Sequence, residues 1–188
     1  ISLKGNHNLE NALFIIGTGK ILNIPNEVIA QFLKTTKALE HRLENFFLKK
    51  NTLFVNDSKG TNVESTIKAI EAFKNKIILI AGGENKKICN DELIKKINER
   101  VGFVYLIGET GAILAEEMEK IGYKKYKNLG TLEKVLVDIK ENLDFEDSQT
   151  ILFSPATASF DQFKNFEERG KIFKELTNKI LRENQIER

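Results

Sequence analysis

The chain has 188 residues, 41% hydrophobic and 30% charged, with 29 Lys+Arg against 27 Asp+Glu for a formal charge of +2. That length suits one domain of about 100–200 residues with a small appendage, and the near balance of charge gives no footprint for nucleic acid or an anionic membrane. One cysteine, Cys89, and two histidines, His7 and His41, exclude an internal disulfide framework, a CxxC metal site and a His-rich metal centre.

In chain order, Leu9, Ala12, Leu13 and Ile16 predict one helix. Val28, Ile29, Phe32 and Leu33 predict a second, opened near Pro25-Asn26. These helices have no strands of their own to cover, so residues 1–36 are expected to close a domain mostly absent from the chain, with a boundary near Lys37. The first residue is Ile1, which reads as a processed chain or a piece of a longer one. No signal peptide is expected, and no apolar run reaches the about 20 residues of a membrane span. A strand is predicted over 42–48, turned at Lys49-Lys50-Asn51 into another over 52–55. Further strands are predicted over 77–81, 103–107 and 150–153, with a weaker one over 124–127. The runs at 77–81 and 103–107 are apolar without alternation, the mark of strands buried on both faces of a parallel sheet. Between them, Val63, Ile67, Ile70 and Phe73 repeat at helical spacing, as do Leu93, Ile94 and Ile97. Ile113, Leu114, Met118 and Ile121 make another such stripe, and so do Leu132, Val135, Leu136 and Ile139. A final helix carries Phe166, Phe173, Leu176 and Ile180. Residues 37–188 therefore predict an α/β, Rossmann-like, mostly parallel sheet with helices on both faces. Ligands of such sheets bind at the carboxyl ends of the strands.

The polar residues cluster after those strand ends. Asn56-Asp57-Ser58-Lys59-Gly60-Thr61-Asn62 is longer than a helix cap needs, and a strand end followed by a helix N-terminus suits an anionic group. Gly82-Gly83 lets a ligand or backbone approach closely, and Lys86 beyond it can act as a point charge for a carboxylate or phosphate. The stretch from Ser154 through Phe163 is rich in small and hydroxyl residues, as a pocket lining would be; Phe163 reads as core and Asp161 as a helix N-cap. Gly17-Thr18-Gly19-Lys20 lacks the GxxxxGK[ST] spacing, and Gly108-Glu109-Thr110-Gly111 lacks GxGxxG, so neither reads as a nucleotide loop. Cys89 has no activating base nearby, and the paired lysines at 49–50, 95–96 and 124–125 read as solvated faces.

Five stretches carry a resemblance. They are Gly5-Asn6-His7-Asn8-Leu9-Glu10-Asn11, Glu40-His41-Arg42-Leu43-Glu44, Asn56 through Asn62, Ala81-Gly82-Gly83 with Lys86, and Ser154 through Gly170. In this order they resemble the C-terminal half of the Mur ligase family, and the last is similar to its D-glutamate-adding branch. Gly60 and Thr157 stand where Ala and Cys are commoner. The resemblance implies that 1–36 are the C-terminal helices of a central ATP-binding domain and 37–188 a complete C-terminal ligase domain. It implies a cytoplasmic, monomeric ATP-dependent ligase of peptidoglycan precursor synthesis that joins D-glutamate to UDP-N-acetylmuramoyl-L-alanine through an acyl phosphate. ATP and Mg2+ are the implied cofactors, with the metal ligands in the missing domain. By residue, it implies that Asn8, Asn11, His41, Arg42 and Asp57 bind nucleotide, Arg42 at the phosphates and Asp57 at the ribose. Thr61, Lys86, Ser159, Phe160 and Phe166 hold D-glutamate, with Phe166 acting mainly through backbone and packing. Lys86, Arg42 and Lys59 are the implied catalytic set, Lys59 as an electrostatic helper without an assigned partner. Because the GxxxxGK[ST] loop is absent, the chain alone is expected to be inactive. The alternatives are a non-catalytic nucleotide- or amino-acid-binding module and a folylpolyglutamate synthase-like sister ligase; a Rossmann-type oxidoreductase is disfavoured by the missing GxGxxG.

Overall fold

The computed structural model describes residues 6–36, 39–85 and 90–182, the side chains of residues 6–8 excepted. Lys37, Lys86 and Cys89, singled out above, lie outside the described residues. The chain divides into two compact units, Ile1–Leu39 and Glu40–Arg188.

The first unit is a helical pair, α1 (Asn6–Ile21) and α2 (Asn26–Thr35). Pro25 precedes α2 with φ −55°, the fixed value that suits a helix start. Ala12 and Ile29 are buried, but Phe14 and Ile21 are 77% and 80% exposed. A groove of about 460 Å³, lined in part by Phe14, Leu22, Val28 and Phe32, runs between the two helices.

The second unit comprises β1 (Glu44–Lys49), β2 (Thr52–Asn56), α3 (Val63–Glu71), β3 (Lys76–Gly82), α4 (Asp91–Arg100), β4 (Val101–Ile107), α5 (Thr110–Lys120), β5 (Tyr126–Gly130), α6 (Leu132–Asn142), β6 (Gln149–Phe153) and α7 (Phe166–Leu181). The sheet order is β1-β2-β6-β3-β4-β5. β1 runs antiparallel to β2, and every other pair is parallel. The apolar runs are shared between two cores by the two-residue period of a strand. Along β3, Ile77, Leu79 and Ala81 pack with α3, α4 and α5. Ile78 and Ile80 face the other way, onto α6 and α7. Each such fully buried Ile or Leu stabilises the fold by roughly 1.5–3 kcal/mol relative to exposure.

Three differences from the sequence expectation have a local physical cause. β1 begins at Glu44 rather than 42, because His41 and Leu43 adopt positive φ and turn the chain before pairing starts. β5 covers 126–130 rather than 124–127; Tyr126 is the first residue paired with β4, and Lys124 and Lys125 stay in solvent. Helix α7 is capped by Asn165, whose Oδ1 accepts the Glu168 N–H at 2.7 Å, while Glu168 Oε2 accepts the Lys164 N–H at 2.7 Å. This reciprocal cap displaces Asp161, which instead accepts the Glu109 N–H at 3.3 Å.

Candidate functional site

Because β2, β6 and β3 are parallel neighbours, their carboxyl ends open on one edge of the sheet. The loops leaving them are stitched together by backbone bonds. Ala156 N–H donates to Gly60 C=O at 2.9 Å, Gly82 N–H to Pro155 C=O at 2.8 Å, and Glu84 N–H to Ala158 C=O at 3.0 Å. Gly82 has φ +110°, and a Cβ there would strike the Ile107 carbonyl oxygen, so only glycine lets the β3 loop turn this close to β4.

Asp57 lies at the start of the β2 loop and is 7% exposed. Its Oδ2 accepts the Ser154 hydroxyl at 2.7 Å and its Oδ1 the Leu43 N–H at 3.2 Å. Burial nevertheless pushes its carboxyl up from 3.8 to about 6, outweighing those hydrogen bonds and the nearby Arg42 and Arg169 charges. The loop thus holds a buried, desolvated carboxylate that ionises just below neutral pH.

Beneath the same loop lies Arg169, fully buried on the first turn of α7. It donates to Ser58 Oγ at 3.0 Å, Ser58 C=O at 2.8 Å, and the carbonyls of Thr157 and Ala158 at 3.1 Å each. One guanidinium fork therefore ties the β2 loop to the β6 loop. Burial depresses its pKa to about 10, which leaves it charged at neutral pH. Ser58 Oγ donates onward to Phe166 C=O at 2.8 Å.

The predicted residues fall around this frame. Phe166 is half-buried; its ring meets His41 edge-on at 6.4 Å and lies 4.2 Å beneath Lys59 Nζ. That gives the half-buried Lys59 a cation–π neighbour, worth on the order of 1 kcal/mol. His41 is buried, with Nδ1 2.9 Å from Asn56 Nδ2. Arg42 is exposed at the apex of the turn, and no hydrogen bond or ion pair engages its guanidinium among the described residues. Thr61 is half-buried and its N–H donates to Lys59 C=O at 2.7 Å. Ser159 is buried beside the Ala158 carbonyl that joins the β3 loop, and its own carbonyl accepts the Phe163 N–H at 2.8 Å. Phe160 is 63% exposed, while Phe163 packs on the α6–α7 core as expected. Lys86 follows Glu84 by two residues but lies outside the described residues, as does the side chain of Asn8. Asn8 and Asn11 lie on α1, in the other unit.

Reading the sequence alone includes Asn56, Glu44, Arg169 and Gly170 in the stretches quoted above but gives none of them a role. Asn56 Nδ2 donates to Glu44 Oε2 at 3.2 Å and Gly170 C=O at 3.3 Å. A Cβ on Gly170 would strike the His41 ring. A glycine in the middle of a helix, at a cost of about 1 kcal/mol relative to alanine, was the available signal of a close approach.

The comparisons with known proteins agree with one another. The family model described as Mur ligase, glutamate ligase domain, matches residues 41–157. The UDP-N-acetylmuramoylalanine--D-glutamate ligase of Fusobacterium nucleatum is 46% identical over 183 residues, covering 96% of this chain and 42% of that protein. Among solved structures, MurF from Acinetobacter baumannii is similar with a TM-score of 0.64 at 19% identity, over 91% of this chain and 38% of its own. A folylpolyglutamate synthase from Thermotoga maritima is similar with a TM-score of 0.59 at 16% identity, over 84% of this chain and 38% of its own. At such identities the likeness to these two structures is one of fold. The chain spans about two fifths of the length of the curated relatives it matches.

Proposed function

We propose, from the premise that this chain belongs to the Mur ligase family and carries its glutamate ligase domain, that it is the amino-acid-adding part of a ligase joining D-glutamate to UDP-N-acetylmuramoyl-L-alanine at the expense of ATP. The observation that carries this reading is the single sheet edge at which Asp57, Thr61, Gly83 and Ser159 meet, with Arg42 turned outward beside Asp57. The relative's name supports the D-glutamate assignment. The uncovered apolar faces of α1 and α2 support the reading of residues 1–36 as the end of a central ATP-binding domain. The whole ligase works in the cytoplasm, as a monomer.

In this reading the terminal carboxylate of the nucleotide precursor attacks the γ-phosphorus of ATP. The bond to the β-phosphate oxygen breaks, and ADP leaves. The amine of D-glutamate then attacks the acyl carbon, the carbon–oxygen bond to phosphate breaks, and amide, phosphate and a proton result. Phosphoryl transfer is mostly positioning and charge stabilisation. Arg42 contributes a planar cation at the transferring phosphates, and Asp57, ionised at neutral pH, accepts the ribose hydroxyls. In the same reading Asn8, Asn11 and His41 also bind the nucleotide. For the second step, Lys86 neutralises a carboxylate of D-glutamate. Thr61 and Ser159 donate hydrogen bonds to it, and Phe160 and Phe166 wall the pocket, fixing the amine at the acyl carbon. Lys59, above the Phe166 ring, adds positive potential between the two subsites. Mg2+ accompanies ATP, but among the described residues no three His, Cys, Asp or Glu side chains assemble to hold it, and no step is assigned to it here.

The test is steady-state ligation by the full-length protein that carries this chain, with D- and L-glutamate compared. D-glutamate dependence is expected, with Lys86→Ala raising the KM for D-glutamate far more than that for ATP. Equal effects on both substrates would refute the assignment of Lys86. Ligation by the 188-residue chain alone would overturn the division of labour between domains.

A further inference from the structure

Arg42 stands at the centre of a strained turn. His41 and Leu43, on either side, have φ of +63° and +45°. A bulky non-glycine residue held there costs on the order of 1–3 kcal/mol and persists only where its surroundings over-determine it. The hydrogen bonds that hold this turn are few. The His41 carbonyl accepts the Lys59 N–H at 3.0 Å, and the Leu43 N–H donates to Asp57 at 3.2 Å. Both tie the turn to the β2 loop. Its entry is caught by two side chains: Asn56, whose Nδ2 lies 2.9 Å from His41 Nδ1, and Glu44, whose Oε2 accepts the His41 N–H at 3.1 Å and the Asn56 Nδ2–H at 3.2 Å. The other oxygen of Glu44 accepts Lys174 Nζ from α7 at 2.6 Å, and the same ammonium reaches Glu40 Oε1 at 3.2 Å.

We propose that Glu44 and Lys174 are positioning residues for the phosphate-side step. Lys174 fixes the Glu44 carboxylate, the carboxylate fixes the His41 amide, and the turn so held presents Arg42 outward. The proposal rests on the reading of Arg42 as the cation at the ATP phosphates. The pair is well suited to this: side-chain exposure is 17% for Glu44 and 25% for Lys174, so solvent screens it less than an ordinary surface pair. Losing it frees the strained turn to relax, and Arg42 with it. The loops after β3 and β6 keep their own bonds to Arg169 and Pro155, so the amino-acid side of the site stays in place. The predicted defect is therefore selective for ATP, which a general loss of stability would not be.

The experiment uses the full-length ligase with Lys174→Met, Glu44→Gln, Lys174→Arg and Arg42→Ala variants, and the Arg42→Ala/Lys174→Met double variant. Lys174→Met and Glu44→Gln are expected to lower kcat/KM for ATP by roughly tenfold or more, the scale of a displaced positioning contact, with the KM for D-glutamate within about twofold of the parent. Lys174→Arg, which keeps the cation, should restore ATP kinetics. In the Arg42→Ala background, Lys174→Met should add nothing further, the non-additivity expected of residues acting as one unit. Equal losses toward ATP and D-glutamate, no rescue by arginine, or an additive loss in the double variant would overturn the proposal while leaving the Arg42 assignment intact. Normal ATP kinetics in Arg42→Ala would overturn that assignment and the proposal with it.

Discussion

The two edges of the sheet both bury polar side chains, and they do so in opposite ways. At the amino edge, Thr52, Gln149 and Thr150 are buried but neutral. Thr52 donates toward the carbonyls of Phe145 and Asp147, Gln149 donates to Asp144 C=O at 2.7 Å, and Thr150 to Asn75 at 3.1 Å. With Gln149 Nε2 also donating to Thr52 Oγ1 at 3.2 Å, these bonds join β2, β6 and the loops before β3 and β6 without a charged side chain among them. At the carboxyl edge the buried set contains a carboxylate, Asp57, and a guanidinium, Arg169, with His41 beside them. Neutral groups in a hydrogen-bonded end are inexpensive, whereas buried charges are costly and shift their own titration. The contrast teaches that polarity inside a sheet end does not mark a site; the burial of charge, at a cost to stability, does.

Three substitutions would break or sharpen this contrast, taken from the largest expected effect to the smallest. Arg169→Met removes four buried hydrogen bonds, and is expected to cost roughly 3–5 kcal/mol of stability, read as a lower denaturation midpoint; a near-parental midpoint would mean the two loops hold each other without it. Asp57→Asn should act in the opposite direction. The carboxyl binds its proton near pH 6 in the folded chain and near 3.8 when unfolded. The folded state therefore holds more protons between those values, and stability falls as pH rises through that window. Above about pH 6 the penalty is complete, at most about 3 kcal/mol. Asp57→Asn removes it, so melts at pH 7 should show a gain of about 1–3 kcal/mol that disappears near pH 4, while affinity for adenine nucleotides falls. A loss of stability at pH 7 would show that the Ser154 and Leu43 bonds outweigh desolvation. At the other edge, Thr52→Val should cost no more than about 1 kcal/mol and leave the KM values of the full-length ligase unchanged; a shifted KM would connect the two edges after all.

Much of this was legible in the residues. The strands at 77–81 and 103–107 could be read as doubly buried because a run such as Ile-Ile-Leu-Ile-Ala has no polar face to offer water, and both cores use it. The loop from Asn56 to Asn62 stood out because seven polar or small residues exceed a cap. Arg169 was not legible, since Glu-Glu-Arg at the start of a helix has the look of a solvated face; only the fold turns it inward. Glu44 was hidden for the same reason, as the first residue of a strand whose neighbours are aromatic. The order of strands was beyond reach as well, because periodicity carries no information about which strands become neighbours.

That order has a consequence for how the chain comes to exist. β6, the last strand, lies between β2 and β3, so during synthesis the middle of the sheet stays open until residues 149–153 leave the ribosome. Until then β2 and β3 present bare, apolar edges to each other and to neighbouring chains, a hazard for misassembly. A nascent chain stopped short of Gln149 would have most of its helices and no closed sheet. The loops after β2 and β3 thus wait on β6 for their neighbour, which makes the finished carboxyl edge a signature that synthesis has passed residue 153.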